Sequence, residues 1–358
     1  MILVVNAGSS SVKVELFSTD LTSVIAGSVT EIGGAGELRL GTVRRAVSAP
    51  DHDAALMALL DALAQAGHPF ERITAAGHRV VHGGTDLTRP VRLTPAAIGA
   101  IRDCIPLAPL HNPHHLAGIL ALAQRAPDLP QCASFDTAFH ATNPAVATTY
   151  ALPPDLTAQG YRRYGFHGIS YASLVAALPQ RTGQPLPQRL LACHLGNGVS
   201  LCAIRDGRSV ATTMGYSPLE GLTMGTRSGS IDANAVLAMA AAFGIDETGV
   251  LLNNRSGLLG LSGGTSDMRA LLASDAPAAR FAVDHFVYWA CRHAGSMIAA
   301  MGGVDAVAFT GGIGEHAAAI RDRIMDGLAW AGPVPHHIVP ADEERQIAAD
   351  TQRLLEEG

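Results

Sequence analysis

One plan occurs twice in this sequence, once in each half. Residues 2–5 are apolar and β-branched, and residues 12–17 alternate apolar with polar. Between them lies Asn6-Ala7-Gly8-Ser9-Ser10-Ser11, a turn of small hydrogen-bonding residues. Period-two alternation across such a turn predicts a β-hairpin. Residues 190–194, the turn Leu195-Gly196-Asn197-Gly198 and residues 199–204 repeat the order of strand, small polar turn, strand. This internal repeat is the main clue to how the chain is organised. Two matched turns also offer backbone amides to a polyphosphate from two sides. A third glycine turn, Gly311-Gly312-Ile313-Gly314-Glu315, follows an apolar strand pattern at 305–310 and precedes a helix. Strand, glycines and helix bring amides close to a nucleotide.

Around these turns the alternation predicts strands near 24–29, 38–47, 74–81 and 131–135. Apolar positions at helical spacing predict helices over 51–65, 95–103, 113–125 and 169–178. Residues 136–168 are rich in Pro, Tyr and Gly without periodicity, as expected of a functional loop or a domain junction. The length of 358 residues suits two domains. With 48% hydrophobic and 16% charged residues and a net charge of −6, the chain is neither disordered nor a basic nucleic-acid surface. The longest apolar run, near 235–243, is about half of the roughly 18 residues that span a bilayer. The strand pattern begins without a basic leader, so the expectation is a soluble cytoplasmic protein. The five cysteines are scattered and form no CxxC pair, which reads as reduced thiols.

No GxxxxGK[ST] loop is present, and no GxGxxG opens a helix after the first strand. The cations carry a sharper signal: of 25, all but one are arginine, and the single lysine, Lys13, follows the first turn. An ammonium there suits a phosphate as a point charge. Phosphoryl transfer needs cations on the moving group, a metal on the polyphosphate and in-line positioning. Arg79 (in Gly77-His78-Arg79-Val80-Val81-His82-Gly83-Gly84), Arg227 (in Met224-Gly225-Thr226-Arg227-Ser228-Gly229-Ser230), His167 and Asp136 lie among glycines and small residues that offer little to pack on.

In this conjunction the sequence resembles the acetate kinase family. The resemblance is carried by Asn6–Lys13 and Gly77–Gly84, by Ala108-Pro109-Leu110-His111-Asn112-Pro113, and by segments 135–140, 165–170, 194–200, 218–232, 256–269 and 310–315. They stand in the family's order along essentially the whole chain. The resemblance implies two duplicated RNase H-like α/β domains of the actin, sugar kinase and heat-shock chaperone superfamily, flanking a nucleotide cleft. Domain I would be 1–137 plus about 345–358, with the C-terminal helix returning to it, and domain II would be 138–344.

The activity it implies is reversible phosphoryl transfer between ATP and acetate. The alternatives are a sibling preferring propionate and, more remotely, a non-enzymatic ATP-binding switch. The family's roles fall on Asn6 and Glu343 for Mg²⁺ (Mn²⁺ as a substitute), and on Ser9, Ser11 and Lys13 for phosphate. His194, Leu195, Gly196, Asn197, Gly198, Asp267, Met268, Arg269, Gly311, Gly312, Ile313, Gly314 and Glu315 match the ATP/ADP segments. Arg79 would hold the acid, with Val81, Leu110, Phe166 and Pro218 around its methyl group. His167 and Arg227 would stabilise the phosphoryl group in flight, and Asp136 matches the residue given acid/base status. Acetate is already ionised at pH 7 and needs no base, which points Asp136 towards organising metal-bound water or positioning an arginine. The implied partners are small molecules and a second copy of the chain, with the helix near 280–301 as an interface; no nucleic acid or membrane is implied. The family pattern is broken at Tyr171 (His elsewhere), Ser230 and Ala233 (Asp and Pro) and His316 (Asn).

Overall fold

The computed structural model describes residues 1–357, and the chain divides into two compact units. Unit 1 comprises Met1–Phe139 with Asp342–Gly358, and unit 2 comprises His140–Ala341. The limits expected from the sequence are 137 and about 345.

In unit 1 the first hairpin forms as its alternation requires: β1 (Ile2–Ala7) and β2 (Ser11–Phe17) pair antiparallel, with Asn6 opposite Lys13. They continue into β3 (Ser23–Thr30), β4 (Glu37–Leu40) and β5 (Val43–Ala46). The stretch expected as one strand at 38–47 is thus two, because the chain turns at Gly41 with φ +53°. On the other side of β1 lie β6 (Ala75–Val80), β8 (Gln131–Phe135) and the short β7 (Val91–Arg92), giving the order β5-β4-β3-β2-β1-β6-β8-β7. β1, β6 and β8 are parallel, which requires crossovers, and the buried face of helix His52–Gln65 packs on this sheet. Its Leu56, Leu59 and Leu63 lie 3 to 4 residues apart, one stripe facing Val14, Leu16 and Leu38. Each such burial contributes about 1.5–3 kcal/mol.

The C-terminal helix Glu343–Glu356 packs against β1, β6 and β8. Its close approach depends on Gly77: a Cβ there would come within 2.5 Å of Thr351 Oγ1 and 2.7 Å of Ile347 Cγ2. Asp350 accepts from Ser134 Oγ at 2.9 Å, and Arg92 donates to the Leu354 and Leu355 carbonyls. This docking fixes where the first turn of the helix, with Glu343, meets unit 1.

Unit 2 repeats the middle of that sheet. Strands β9 (Arg189–Leu195), β10 (Val199–Arg205), β11 (Arg208–Thr212), β12 (Ala306–Thr310) and β13 (His336–Ile338) run in the order β11-β10-β9-β12-β13. Three antiparallel strands followed by two parallel ones reproduce β3-β2-β1-β6-β8, so the matched hairpins occupy matched places. Helix Pro277–Met301 covers the sheet with a stripe at Ala282, Phe286, Ala290 and Ala294, and ends at Gly302 with φ +75°. The apolar run near 235–243 falls in helix Ala233–Phe243, none of whose residues is buried.

Candidate active site

Arg79 lies in β6 and Asp136 directly follows β8. Because Val80 pairs with Phe135 in parallel register, both side chains leave the sheet at the same end. Arg79 donates through Nη2 to Asp136 Oδ2 at 2.7 Å and through Nε to both carboxylate oxygens at 3.2 and 3.3 Å. Asp136 is almost fully buried, and Glu343 Oε2 stands 3.9 Å from Arg79 Nε. Burial opposes the Arg79 cation, but the charges of Asp136 and Glu343 outweigh it and raise its pKa above the usual arginine value. Burial also pushes the Glu343 carboxyl up to about 7, with Arg79 opposing and Asp136 adding to the rise; Lys13 acts on it weakly in the lowering direction. Asn6, Lys13, Arg79, Asp136 and Glu343 thus belong to one end of the unit 1 sheet. The turn between Asn6 and Ser11 is closed by Gly8 N–H to the Ser11 carbonyl at 2.7 Å and is braced by His52 Nε2–H donating to the Gly8 carbonyl at 2.6 Å. Ser9 is exposed in it, Val81 is buried behind β6, and Leu110 is largely exposed before helix Asn112–Arg125.

In unit 2 His167 takes the left-handed backbone conformation, φ 60° and ψ 22°, immediately before helix Gly168–Thr182. A non-glycine residue held there is strained and must be supported by its surroundings. Its ring stacks on that of His194, centroids 4.1 Å apart, and its Nδ1 is 2.9 Å from Ser200 Oγ. His194 is itself fixed by Ser170 Oγ at 2.8 Å from its Nδ1. Arg227 comes from a loop tied to the β9–β10 turn: Gly225 N–H donates to the Asn197 carbonyl at 2.9 Å, and Ser256 N–H to the Thr226 carbonyl at 2.9 Å. The guanidinium donates to the Pro218 carbonyl at 3.2 Å. An ideal Cβ on Gly198 would lie 3.0 Å from His167 Nε2 and 3.6 Å from Arg227 Nη1. Both groups therefore border the same backbone position, which only glycine leaves open. Phe166 is fully buried, and its carbonyl accepts from His140 Nε2–H at 2.9 Å.

Beside this turn, Gly196, Asn197, Asp267, Met268, Arg269, Gly312 and Ile313 line one cavity of about 460 Å³, together with Ser266, Leu272, His316 and Ala317. The sequence had singled out the first seven as nucleotide residues from three distant segments. The Gly311 turn is pressed onto β9: with φ +79°, a Cβ on Gly311 would meet the Leu195 carbonyl oxygen at 2.8 Å. Gly314 packs at Leu195 and Phe309, and Glu315 turns inward, accepting from the Gly311 and Ala341 amides at 3.1 and 2.9 Å. Glu315 thus holds the turn, and Leu195 forms its floor. Asp267 and Arg269 form an exposed ion pair at the cavity's edge, 3.0 Å apart.

The Acetokinase family model matches residues 1–351. The chain belongs to that family. It is 42% identical over 395 aligned residues to an acetate kinase of Rhodopseudomonas palustris (strain ATCC BAA-98 / CGA009), covering 100% of this chain and 99% of the relative. Among solved structures it superposes on an acetate kinase of Porphyromonas gingivalis with TM-score 0.92 at 35% identity. It superposes on a propionate kinase of Francisella tularensis with TM-score 0.94, also at 35%; each match covers 99% of both chains. The duplicated sheet is accordingly the architecture this chain shares with those acetate and propionate kinases.

Within this acetokinase chain, three groups at the site escaped the sequence reading as site residues: Ser170, Ser200 and Tyr171. Ser170 and Ser200 hold the two histidine rings, and Tyr171 OH lies 2.5 Å from Ser200 Oγ. Tyr171 was visible in the sequence only as a departure from the family pattern.

Proposed function

We propose that the protein transfers the terminal phosphoryl group of ATP to acetate, reversibly, giving acetyl phosphate and ADP by direct in-line displacement. The observation that carries this reading is the meeting of His167 Nε2 and Arg227 Nη1 beside Gly198, in the turn whose Gly196 and Asn197 line the 460 Å³ cavity. ATP occupies that cavity, with its phosphates towards the turn. As the bond to the leaving ADP oxygen lengthens, negative charge spreads over the equatorial oxygens of the moving group. Preorganised donors at that position, Arg227 and His167, bind this state more strongly than the ground state.

Unit 1 supplies the acid's side of the reaction. Asp136 takes the Nε and Nη2 edge of Arg79 and so fixes the plane of the guanidinium, while the Nη1 side serves the acetate carboxylate. Asp136 acts by positioning, since an acetate already ionised at neutral pH has no proton to remove. Ser9, Ser11 and Lys13 hold phosphate. Mg²⁺ is the metal this arrangement fits, with Mn²⁺ as a substitute. It is ordinarily held by one or two carboxylates plus water and substrate phosphates, and Glu343, a carboxyl whose pKa burial raises and nearby Asp136 raises further, suits a divalent cation. Asn6 adds a neutral oxygen from the end of β1. When bound, the metal neutralises polyphosphate charge.

By the family resemblance, the acyl methyl group is the share of Val81 and Leu110 in unit 1 and of Phe166 and Pro218 in unit 2. Discrimination by apolar side chains is worth about 1–3 kcal/mol per methylene, so propionate is a poorer substrate and not an excluded one. Two copies pair through unit 2, which leaves Leu237, Phe243, Ile245, Phe281 and Tyr288 exposed. The five free cysteines suit a reducing cytoplasm.

The test mixes purified protein with Mg-ATP, hydroxylamine and acetate, propionate, butyrate or no acid. Acetate-dependent hydroxamate, weaker with propionate, is the expected result. ATP hydrolysis that ignores the acid would overturn the reading.

A further inference from the structure

The segments that carry His167 and Arg227 are joined at the carboxylate of Glu220, which does not line the 460 Å³ cavity. Glu220 accepts from Arg163 Nη2 at 2.7 Å through one oxygen and from the Tyr150 hydroxyl at 2.7 Å through the other. Both donors are fixed in turn. Arg163 Nη1 donates to the Thr213 and Met214 carbonyls at 3.2 and 3.1 Å, and its guanidinium lies 5.5 Å from the centroid of the Tyr150 ring. The Tyr150 oxygen accepts from the Tyr216 amide at 2.9 Å. The packing is close: a Cβ on Gly215 would collide with the Glu220 carboxylate and the Tyr150 hydroxyl. An arginine that uses both arms of its planar fork makes a directional link, where an ammonium would act as a point charge.

Each end of this link leads to a reacting group. Arg163 stands four residues before His167, and between them the Tyr164 and Gly165 amides donate to the Gly215 carbonyl at 3.0 and 3.3 Å. Glu220 stands two residues after Pro218, whose carbonyl accepts from Arg227 Nη1. The next residue, Gly221, closes the Arg227 loop: its N–H donates to Ser230 Oγ at 3.1 Å, and its carbonyl accepts from Ser230 N–H at 2.9 Å. With its side chains 19% and 35% exposed, the Arg163–Glu220 pair adds little to the stability of the fold, so its double anchorage is explained by what it aligns. We propose that Glu220, with Arg163 and Tyr150, consists of positioning residues that set the spacing of His167 and Arg227. The carboxylate ties the segment leading to His167 to the loop presenting Arg227, so that both donors border Gly198 together. Donors held in place beforehand need no reorganisation as charge develops. The inference rests on the phosphoryl-transfer reading of His167 and Arg227, but the coupling of the two segments is measurable without turnover.

The experiment compares Glu220→Ala, Arg163→Met and Tyr150→Phe with the wild type, in the full-length enzyme, by amide hydrogen exchange and by steady-state kinetics with acetate and Mg-ATP. Glu220→Ala is expected to speed exchange over 163–168, and Arg163→Met to speed it over 220–230, with strands β9 and β10 unchanged. Glu220→Ala should lower kcat about 10²-fold, the scale of a misplaced reacting group, with the KM for ATP nearly unchanged. In an Arg227→Ala background the same change should cost about tenfold less, because residues that act as a unit are non-additive. A change that merely loosened unit 2 would cost the same in both backgrounds. Tyr150→Phe removes one hydroxyl and should give a smaller loss of kcat in the same direction; it carries the test if Glu220→Ala does not fold. Equal costs in the two backgrounds overturn the proposal. So do variants in which exchange changes only in the segment that bears the substitution, and a Tyr150→Phe enzyme with unaltered exchange and turnover. A wild type with no acetate-dependent turnover, alongside the expected exchange, would instead overturn the phosphoryl-transfer reading and leave the coupling standing.

Discussion

In unit 1 the arginine of the site is locked to carboxylates: Asp136 grips Arg79 through three hydrogen bonds, and Glu343 lies 3.9 Å away. In unit 2 the arginine of the site is held by a backbone carbonyl, that of Pro218, and faces the same glycine as a histidine. The sheets behind the two are copies, with three antiparallel strands leading into parallel ones and a small polar turn between the first two. Duplication therefore preserved the scaffold while the side chains at the strand ends took opposite electrostatic character. In the function proposed above, the unit 1 cluster would take a cation and a small acid that shares Arg79, and the unit 2 cluster would meet the charge of a phosphoryl group in transit.

Removing a donor from unit 2 breaks this comparison most forcefully. His167→Ala is expected to lower kcat about 10²–10³-fold, the usual cost of one preorganised donor, with the KM for ATP nearly unchanged. Steady-state kinetics at saturating acetate would read it; a rise in KM at constant kcat would mean that the ring serves ground-state binding. In unit 1, Asp136→Asn frees the plane of Arg79 and should cost up to about 10²-fold in kcat/KM for acetate, the scale of a misplaced binding group. The shape of the pH–rate profile should survive the change, because no proton is removed. Near-normal turnover in this variant would deny Asp136 even a positioning role.

A third expectation treats the units alike. Each buries a neutral histidine, His78 bonded to Gln131 in unit 1 and His140 bonded to the Phe166 carbonyl in unit 2, and burial lowers each pKa to about 4. The unfolded chain binds these protons near pH 6.5, the folded one only near 4, so stability is fully present above 6.5 and is lost as pH falls towards 4. Between pH 7 and 5 each histidine should remove about 2 kcal/mol, measurable by urea unfolding. His140→Gln should remove its share, about 2 kcal/mol, of that dependence; an unchanged dependence would show that the His140 ring is not held neutral. The smallest effect concerns the choice of acid: propionate should lose about tenfold in kcat/KM against acetate.

The hairpins were legible in the sequence because alternation and small turn residues are local signals, and the 2–17 and 190–204 stretches form the expected strands. Strands β7 and β13 were not, being two and three residues long and defined only by their neighbours. Helix Gly168–Thr182 runs four residues past its expected end, through Pro179, and stops at Gly183 in the left-handed region. At the site, single residues were legible through glycine-rich surroundings, but their pairings were not. The Arg79–Asp136 pair spans 57 positions and depends on parallel register, and Glu343 reaches it only because Gly77 admits the C-terminal helix. Ser200 was hidden for another reason: a small polar residue in a strand carries no pattern of its own. Only the ring it touches reveals its role.

The division of labour between the units is tested most directly by measuring kcat and both KM values for Arg79→Lys and Arg227→Lys side by side. Each change keeps the charge and removes the planar fork. The account predicts that the unit 1 variant mainly raises the KM for acetate, whereas the unit 2 variant lowers kcat with both KM values little changed. The same pattern in both variants, or the two patterns exchanged, would contradict it.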